Sequence, residues 1–128
     1  MEIEIPIEIE YRAELIVDNQ HTAAEYGSGL AKVFATPALV ALMENAAYKC
    51  IEMYLPDGYS SVGTEINVKH LRATLPGDKV YAISKTVAFD GRKVYFEVEA
   101  FDSKGLIGKG THQRFVINSA RFMDKLNQ

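Results

Sequence analysis

The chain has 128 residues and a net charge of −3, and its 48% hydrophobic and 24% charged residues are ordinary for a globular protein. This length suits a single domain over residues 1–128, and the charge gives no basic surface that favours nucleic acid or an anionic membrane. The acidic N-terminus is unlike a signal peptide, and no apolar run reaches the roughly 20 residues of a membrane span. Cys50 is the only cysteine, which excludes an internal disulfide. We therefore expect a cytoplasmic protein.

The first part of the chain is predicted to hold a strand and a polar connection. Residues 2–10 alternate between isoleucine and glutamate, which is typical of a strand with one buried face, and Pro6 favours an edge position. Residues 11–17 could continue that strand. Residues 18–32 are polar and contain glycines, so they predict a loop or short helix that is either a mobile lid or an ordinary surface connection.

One long helix is predicted over residues 37–55, which are mostly apolar. Thr36 and Pro37 have the residue types of a helix N-cap and of the first helical position. A Pro-Asp-Gly sequence from residue 56 is expected to end the helix.

The rest of the chain predicts an antiparallel sheet. Strands are expected at about 60–74, 78–89, 92–102 and 105–118, and a short helix at about 119–126. Because glycine-containing hairpin turns join the strands, neighbours should run antiparallel. A sheet of about five strands must wrap around the apolar helix to bury it. This is the α+β hot-dog arrangement, and a cystatin-like α+β roll is the alternative.

Glu44 is the first candidate functional residue, because it interrupts the apolar run of the long helix. At helical spacing it shares a face with Val40, Ala41 and Tyr48, so it is predicted to point into the core. An unpaired buried carboxylate costs several kcal/mol or takes up a proton. The residue therefore needs either hydrogen-bonding partners that satisfy it or a chemical task.

His70 and Thr36 are the second and third candidates. The alternation of residues 62–70 puts His70 on the inward face of its strand with Val62 and Thr64. An inward histidine and an inward glutamate in one domain could form a hydrogen-bonded acid–base pair. Thr36 lies about two helical turns before Glu44 and could face the same cavity, although a plain helix cap is the alternative.

Metal and phosphate sites are not predicted. The three histidines are far apart in sequence, and none has a spacing typical of metal ligands. The Gly-Lys-Gly-Thr sequence from residue 108 lies within a predicted strand and lacks the strand–loop–helix context of a phosphate loop. We therefore expect neither a metal nor a redox cofactor.

The chain resembles the hot-dog thioesterase superfamily, and within it the branch that includes fluoroacetyl-CoA thioesterase. The resemblance runs from about Val33 to Phe122. Thr36, Glu44 and His70 match the order and spacing of that branch's catalytic Thr–Glu–His set. The stretches that carry the resemblance are Val33-Phe34-Ala35-Thr36, Ala41-Leu42-Met43-Glu44-Asn45-Ala46, Ser61-Val62-Gly63-Thr64, Val68-Lys69-His70-Leu71-Arg72-Ala73-Thr74 and Gly108-Lys109-Gly110-Thr111-His112-Gln113-Arg114.

The resemblance implies an acyl-CoA thioesterase in which coenzyme A is part of the substrate and no other cofactor is needed. Glu44 would be the nucleophile or the base for water, His70 the general base and acid, and Thr36 a positioning or polarising group. Gly63 and Arg114 would contact the substrate near the thioester. Two alternatives remain open: a non-catalytic hot-dog module that binds an acyl group or metabolite, and an acyl-CoA hydratase.

The resemblance also implies a homodimer that joins two sheets edge to edge, with active sites at the interface. Apolar Leu71 and Ala73, on an otherwise polar strand face, favour such a partner. One departure concerns the acyl group. The fluoroacetyl-CoA enzyme has aromatic residues in its lid, where residues 27–30 here read Gly-Ser-Gly-Leu. We therefore expect small or medium acyl-CoA substrates without a strong preference for a fluorinated acetyl group.

Overall fold

The computed structural model describes residues 2–128. Within this range the strands are β1 (Glu10–Ile16), β2 (Tyr59–His70), β3 (Lys79–Phe89), β4 (Lys93–Asp102) and β5 (Gly105–Asn118). The helices are α1 (Ala23–Tyr26), α2 (Thr36–Glu52) and α3 (Ser119–Leu126), and Asn19–His21 forms a 3-10 turn.

The five strands form one antiparallel sheet in the order β1-β3-β4-β5-β2. The sheet curves around α2, which buries one face against it, so the predicted hot-dog arrangement is confirmed. The buried side chains of α2 are Ala38, Leu39, Leu42, Met43, Ala46, Ala47, Cys50 and Ile51. Strand β2 lies at the edge of the sheet, where one side of its backbone has no neighbouring strand.

The N-terminal strand begins later than predicted. Residues 2–9 lie outside the sheet, and β1 begins at Glu10. The chain turns at Glu8, whose φ is +63°, and Thr86 holds the segment by donating from its hydroxyl to the Pro6 carbonyl at 2.9 Å. The alternating pattern is therefore interrupted: Ile5 is buried, whereas Ile7 is 58% exposed.

A β-bulge changes which residues of β2 face the helix. The pairing with β5 passes from Gly63 to Glu65 and skips Thr64, and such an extra residue reverses the alternation of side chains. The prediction that residues 62 and 64 share a face with His70 is therefore wrong, because Ser61 is buried and Gly63 lies against a side chain of α2. The helix-facing positions of β2 are Ser61, Gly63, Ile66, Val68 and His70.

Candidate active site

Thr36 does not cap the helix as predicted. The N-cap is Ala35, and Thr36 is the first residue of α2. The Thr36 hydroxyl lies 2.8 Å from Nδ1 of His70. Its side chain is therefore engaged with an imidazole rather than with the backbone N–H groups of the first turn.

His70 ends β2 with one ring nitrogen paired and the other unpaired. Nδ1 meets the Thr36 hydroxyl, whereas Nε2 is buried and has no hydrogen-bond partner within residues 2–128. The ring packs edge-on against the buried Phe34, with ring centroids 6.5 Å apart. Burial lowers the pKa of His70 below its ordinary 6.5, and the backbone of Arg72 offsets part of this effect. The imidazole is therefore neutral at pH 7 and can accept a proton.

A cavity of about 420 Å³ opens beside this pair of residues. Ser28, Phe34, Thr36 and His70 are among the residues that line it, together with Arg72. Nη2 of Arg72 donates to the buried carboxylate of Asp102 at 2.5 Å. The cavity thus has one apolar wall, a hydroxyl, a neutral imidazole and a neutralised cation.

Glu44 is not in the core. It lies half-buried on the face of α2 that carries the exposed Pro37, Ala41 and Tyr48. Its carboxylate lies against β2, where a Cβ added to Gly63 would come within 2.8 Å of Glu44 Oε2. The core position was predicted wrongly because α2 is apolar on nearly all sides, so its periodicity could not show which face the sheet covers.

Arg114 is buried rather than exposed at the surface. It is 7% exposed, and its Nε and Nη2 donate to the Ser61 hydroxyl at 2.8 Å and to the Ser61 carbonyl at 3.0 Å. Its Nη1 lies 3.2 Å from Nε2 of His112. Burial lowers the pKa of Arg114, and the nearby Glu44 carboxylate opposes that shift. A held cation therefore lies beside the Glu44 carboxylate.

His112 is the residue that the sequence did not reveal as part of the site. It was named among the histidines tested as metal ligands and in the stretch that carries the resemblance, but was given no role. The structure buries it to 1% exposure, between Arg114 and the backbone of Glu65. The signal that could have found it is its place two residues before Arg114, which puts both side chains on one face of β5.

The site residues thus fall into two groups in one chain. The threonine–histidine pair consists of Thr36 and His70. The arginine cluster consists of Ser61, Glu44, Gly63, His112 and Arg114. Along α2, Thr36 and Glu44 are about 12 Å apart, and along β2 His70 is roughly 20 Å from Gly63. Within residues 2–128 no hydrogen bond or ion pair joins Glu44 to His70, so the predicted contact between them is not made inside one chain.

Residues 2–128 contain no group of three or more His, Cys, Asp or Glu side chains that could hold a metal ion. Among the same residues, no helix is both long enough and apolar enough to cross a bilayer.

Comparisons with known proteins show the family to which the chain is related. Residues 17–120 match the family model described as FlK, fluoroacetyl-CoA-specific thioesterase. The fluoroacetyl-CoA thioesterase of Streptantibioticus cattleyicolor is 40% identical over 97 residues, which cover 76% of this chain and 70% of that protein.

Solved structures give the same result. A structure of FlK is 32% identical with a TM-score of 0.92 and covers 98% of this chain and 97% of its own. A Thermus thermophilus member of the thioesterase superfamily is 29% identical with a TM-score of 0.90, covering 97% of this chain and 92% of its own. The resemblance drawn from the sequence is confirmed, and this chain belongs to the fluoroacetyl-CoA-specific thioesterase family of the hot-dog fold.

Proposed function

We propose that this protein hydrolyses small or medium acyl-CoA thioesters to a free acid and coenzyme A, using Thr36, Glu44 and His70. The observation that carries the proposal is His70, a neutral imidazole with Nδ1 on a hydroxyl and Nε2 buried without a partner among the described residues. Membership of a thioesterase family supports the reaction class. Cys50 is a free thiol, as is usual in the reducing cytoplasm, where we place the reaction.

The proposed catalytic roles of Thr36, Glu44 and His70 depend on which of their polar atoms have no hydrogen-bond partner. When the Nδ1 proton of His70 is donated to the Thr36 oxygen, the Nε2 lone pair can take a proton from water. The same proton then passes to the sulfur of coenzyme A as the C–S bond breaks. The Thr36 hydroxyl proton remains available to the thioester carbonyl or to a carboxylate. Glu44 either activates the water or attacks the carbonyl itself and forms an anhydride that water opens.

We infer that two copies of the chain complete each site. Strand β2 has an unpaired edge, and Glu44 faces that edge from a helix surface on which Pro37 and Ala41 are exposed. An exposed strand edge beside an apolar surface favours pairing with a second copy. In a two-fold dimer, β2 would meet β2 of the partner subunit antiparallel.

The β-bulge and the charges of β2 favour one register, with the two-fold axis at Asn67. Residues that lie opposite each other across two antiparallel strands share a face of the sheet. This register places Glu65 opposite Lys69 of the partner subunit. The two-fold axis repeats this contact, so the interface contains two pairs of opposite charges. Beyond the extra residue Thr64, Gly63 then meets His70 of the partner subunit. The arginine cluster of one protomer and the threonine–histidine pair of its partner would thus line one pocket.

The range of acyl groups is set by the segment that precedes α2. Residues 24–32 are all exposed, and the two large apolar side chains, Tyr26 and Leu30, are 47% and 96% exposed. A segment with so little buried apolar area opens at little cost in free energy. We therefore expect varied small and medium acyl groups, with kcat/KM for fluoroacetyl-CoA and acetyl-CoA differing by far less than a thousandfold.

The test is free-thiol release across a panel of acyl-CoA thioesters that includes the acetyl and fluoroacetyl pair. The matched controls are Glu44→Gln and His70→Ala, which should lower the release at least about a hundredfold. Binding without release would favour the acyl-binding module, and hydration of an enoyl-CoA would favour the hydratase. A preference of many thousandfold for the fluorinated substrate would overturn the broad acyl range but leave the thioesterase assignment intact.

A further inference from the structure

We propose that His112 is a positioning residue that aims the Arg114 guanidinium and holds the bulge of β2 in its active shape. The proposal rests on the proposed function, since it explains how the arginine cluster is prepared for a thioester. His112 is a buried titratable side chain that takes no part in the reaction steps of Thr36, Glu44 and His70.

The hydrogen bonds of His112 fix one tautomer. Nδ1 lies 2.7 Å from the Glu65 carbonyl oxygen, which can only accept, so Nδ1 carries the ring proton. Nε2 then presents its lone pair to Nη1 of Arg114 at 3.2 Å. Burial lowers the pKa of His112 and the charge of Arg114 adds to the shift, while the bond to Glu65 and the charge of Glu44 oppose it. A neutral ring is required here, because a protonated Nε2 would direct an N–H group at a guanidinium.

The ring cannot turn away from these bonds. It stacks on Phe96 with ring centroids 5.8 Å apart and an interplanar angle of 29°. On its other side, a Cβ at Gly63 would come within 3.2 Å of His112 Cε1. The glycine therefore leaves space for both the imidazole and the Glu44 carboxylate.

Each bond of His112 fixes one part of the arginine cluster. The bond to Glu65 holds the residue that follows the extra Thr64, and this bulge is what turns Gly63 towards Glu44. The bond to Arg114 adds a third anchor to the two that Ser61 supplies. Of the five guanidinium N–H groups, one on Nη1 and one on Nη2 remain for the substrate or for Glu44. Both ring nitrogens of His112 are occupied, so it acts through Arg114 and the backbone rather than on the substrate.

Matched variants separate the two bonds. The amide nitrogen of His112→Asn reaches the Nδ1 position and keeps the bond to Glu65. The amide oxygen of His112→Gln reaches the Nε2 position and keeps the bond to Arg114. His112→Phe fills the space and keeps neither. We expect His112→Phe to lower kcat roughly ten- to a hundredfold, the cost of a misplaced catalytic group, with KM changed less than about threefold. His112→Gln should recover more of kcat than His112→Asn.

A double-mutant cycle tests whether His112 acts through Arg114. If it does, His112→Phe combined with Arg114→Lys is scarcely slower than Arg114→Lys alone. Additive losses, or a loss confined to KM, would overturn the proposal.

A readout that does not need activity keeps this proposal separate from the proposed function. The nitrogen-15 shifts of His112 should show the neutral tautomer protonated on Nδ1 at pH 7, whether or not any thioester is hydrolysed. The opposite tautomer, or a protonated ring at that pH, would overturn the positioning role even in an active thioesterase. This measurement uses the wild type, so it decides the question even if His112→Phe fails to fold.

Discussion

The two halves of the candidate site differ in how their polar groups are satisfied. The threonine–histidine pair is uncharged and partly exposed, and it keeps one buried ring nitrogen free of any partner in the described chain. The arginine cluster contains a cation and an anion, and each guanidinium nitrogen is held by Ser61 or His112. One half has an atom left to react, whereas the other has its guanidinium fixed in place.

This difference indicates a division of labour between the halves. A neutral imidazole with a free nitrogen suits proton transfer. A cation held by buried hydrogen bonds suits the stabilisation of charge that develops on a carbonyl oxygen, because it needs no reorganisation during the reaction. Since the halves lie far apart in one chain, the cooperation proposed above needs a second copy.

The largest loss of activity is expected when either Glu44 of the arginine cluster or His70 of the threonine–histidine pair is replaced. Glu44→Gln and His70→Ala should each lower kcat/KM at least about a hundredfold, with unchanged melting profiles. When the two variants are unfolded together and refolded as a mixture, about a quarter of wild-type activity should return, because about half of the dimers are mixed and each of these has one intact site. Each variant refolded alone is the control. A mixture as inactive as its parents would put both groups in one chain.

Gly63→Ala tests the close approach inside the arginine cluster. The new Cβ would come within 2.8 Å of Glu44 Oε2 and 3.2 Å of His112 Cε1, so the carboxylate must move. We expect kcat/KM to fall roughly tenfold or more, because the Glu44 carboxylate is displaced. Gly29→Ala is the matched control, since its Cβ meets only Ala23 Cβ, at 3.8 Å. Equal effects of the two alanines would remove Gly63 from the site.

Thr36→Ala tests the other half with a smaller expected loss. Water can replace a hydroxyl that only orients His70, so kcat/KM should fall about tenfold, less than for His70→Ala. Because Thr36 is not the N-cap, the loss of about 1 kcal/mol typical of a removed cap is not expected. Thr36→Ser keeps the hydroxyl and should keep most of the activity. A melting temperature that drops in Thr36→Ala but not in Thr36→Ser would restore the capping role.

The smallest effect is expected on dimer stability, when the proposed pairing of β2 with β2 of the partner subunit is disturbed. Glu65→Lys would place like charges opposite each other twice across the two-fold axis, and each exposed pair is worth roughly 0.2–1 kcal/mol. The dimer dissociation constant should rise about tenfold or less, as measured by sedimentation at micromolar concentration. Glu65→Lys combined with Lys69→Glu should restore it. A double variant as weak as the single one would exclude the register with Asn67 on the axis.

Much of the fold was predictable from the sequence, because it depends on local patterns. The predicted bounds of β5 and α3 agree with the structure, since glycine turns and an asparagine cap mark them. The long helix and the antiparallel order follow from apolar periodicity and hairpin turns. The choice of Thr36, Glu44 and His70 as candidates also needed only the sequence, because polar residues stand out within apolar segments.

The tertiary structure alone decided how these residues meet. The sequence could not show which face of an almost wholly apolar helix the sheet would cover, and the structure leaves Glu44 outside the core. The bulge at Thr64, which turns Gly63 and His70 to the same face, depends on pairing with β5 rather than on any local pattern. The bond from Thr36 to His70 and the bond from His112 to Glu65 join residues far apart in the chain. Periodicity describes only neighbours along the chain, so contacts of this kind are set by the packing of whole elements.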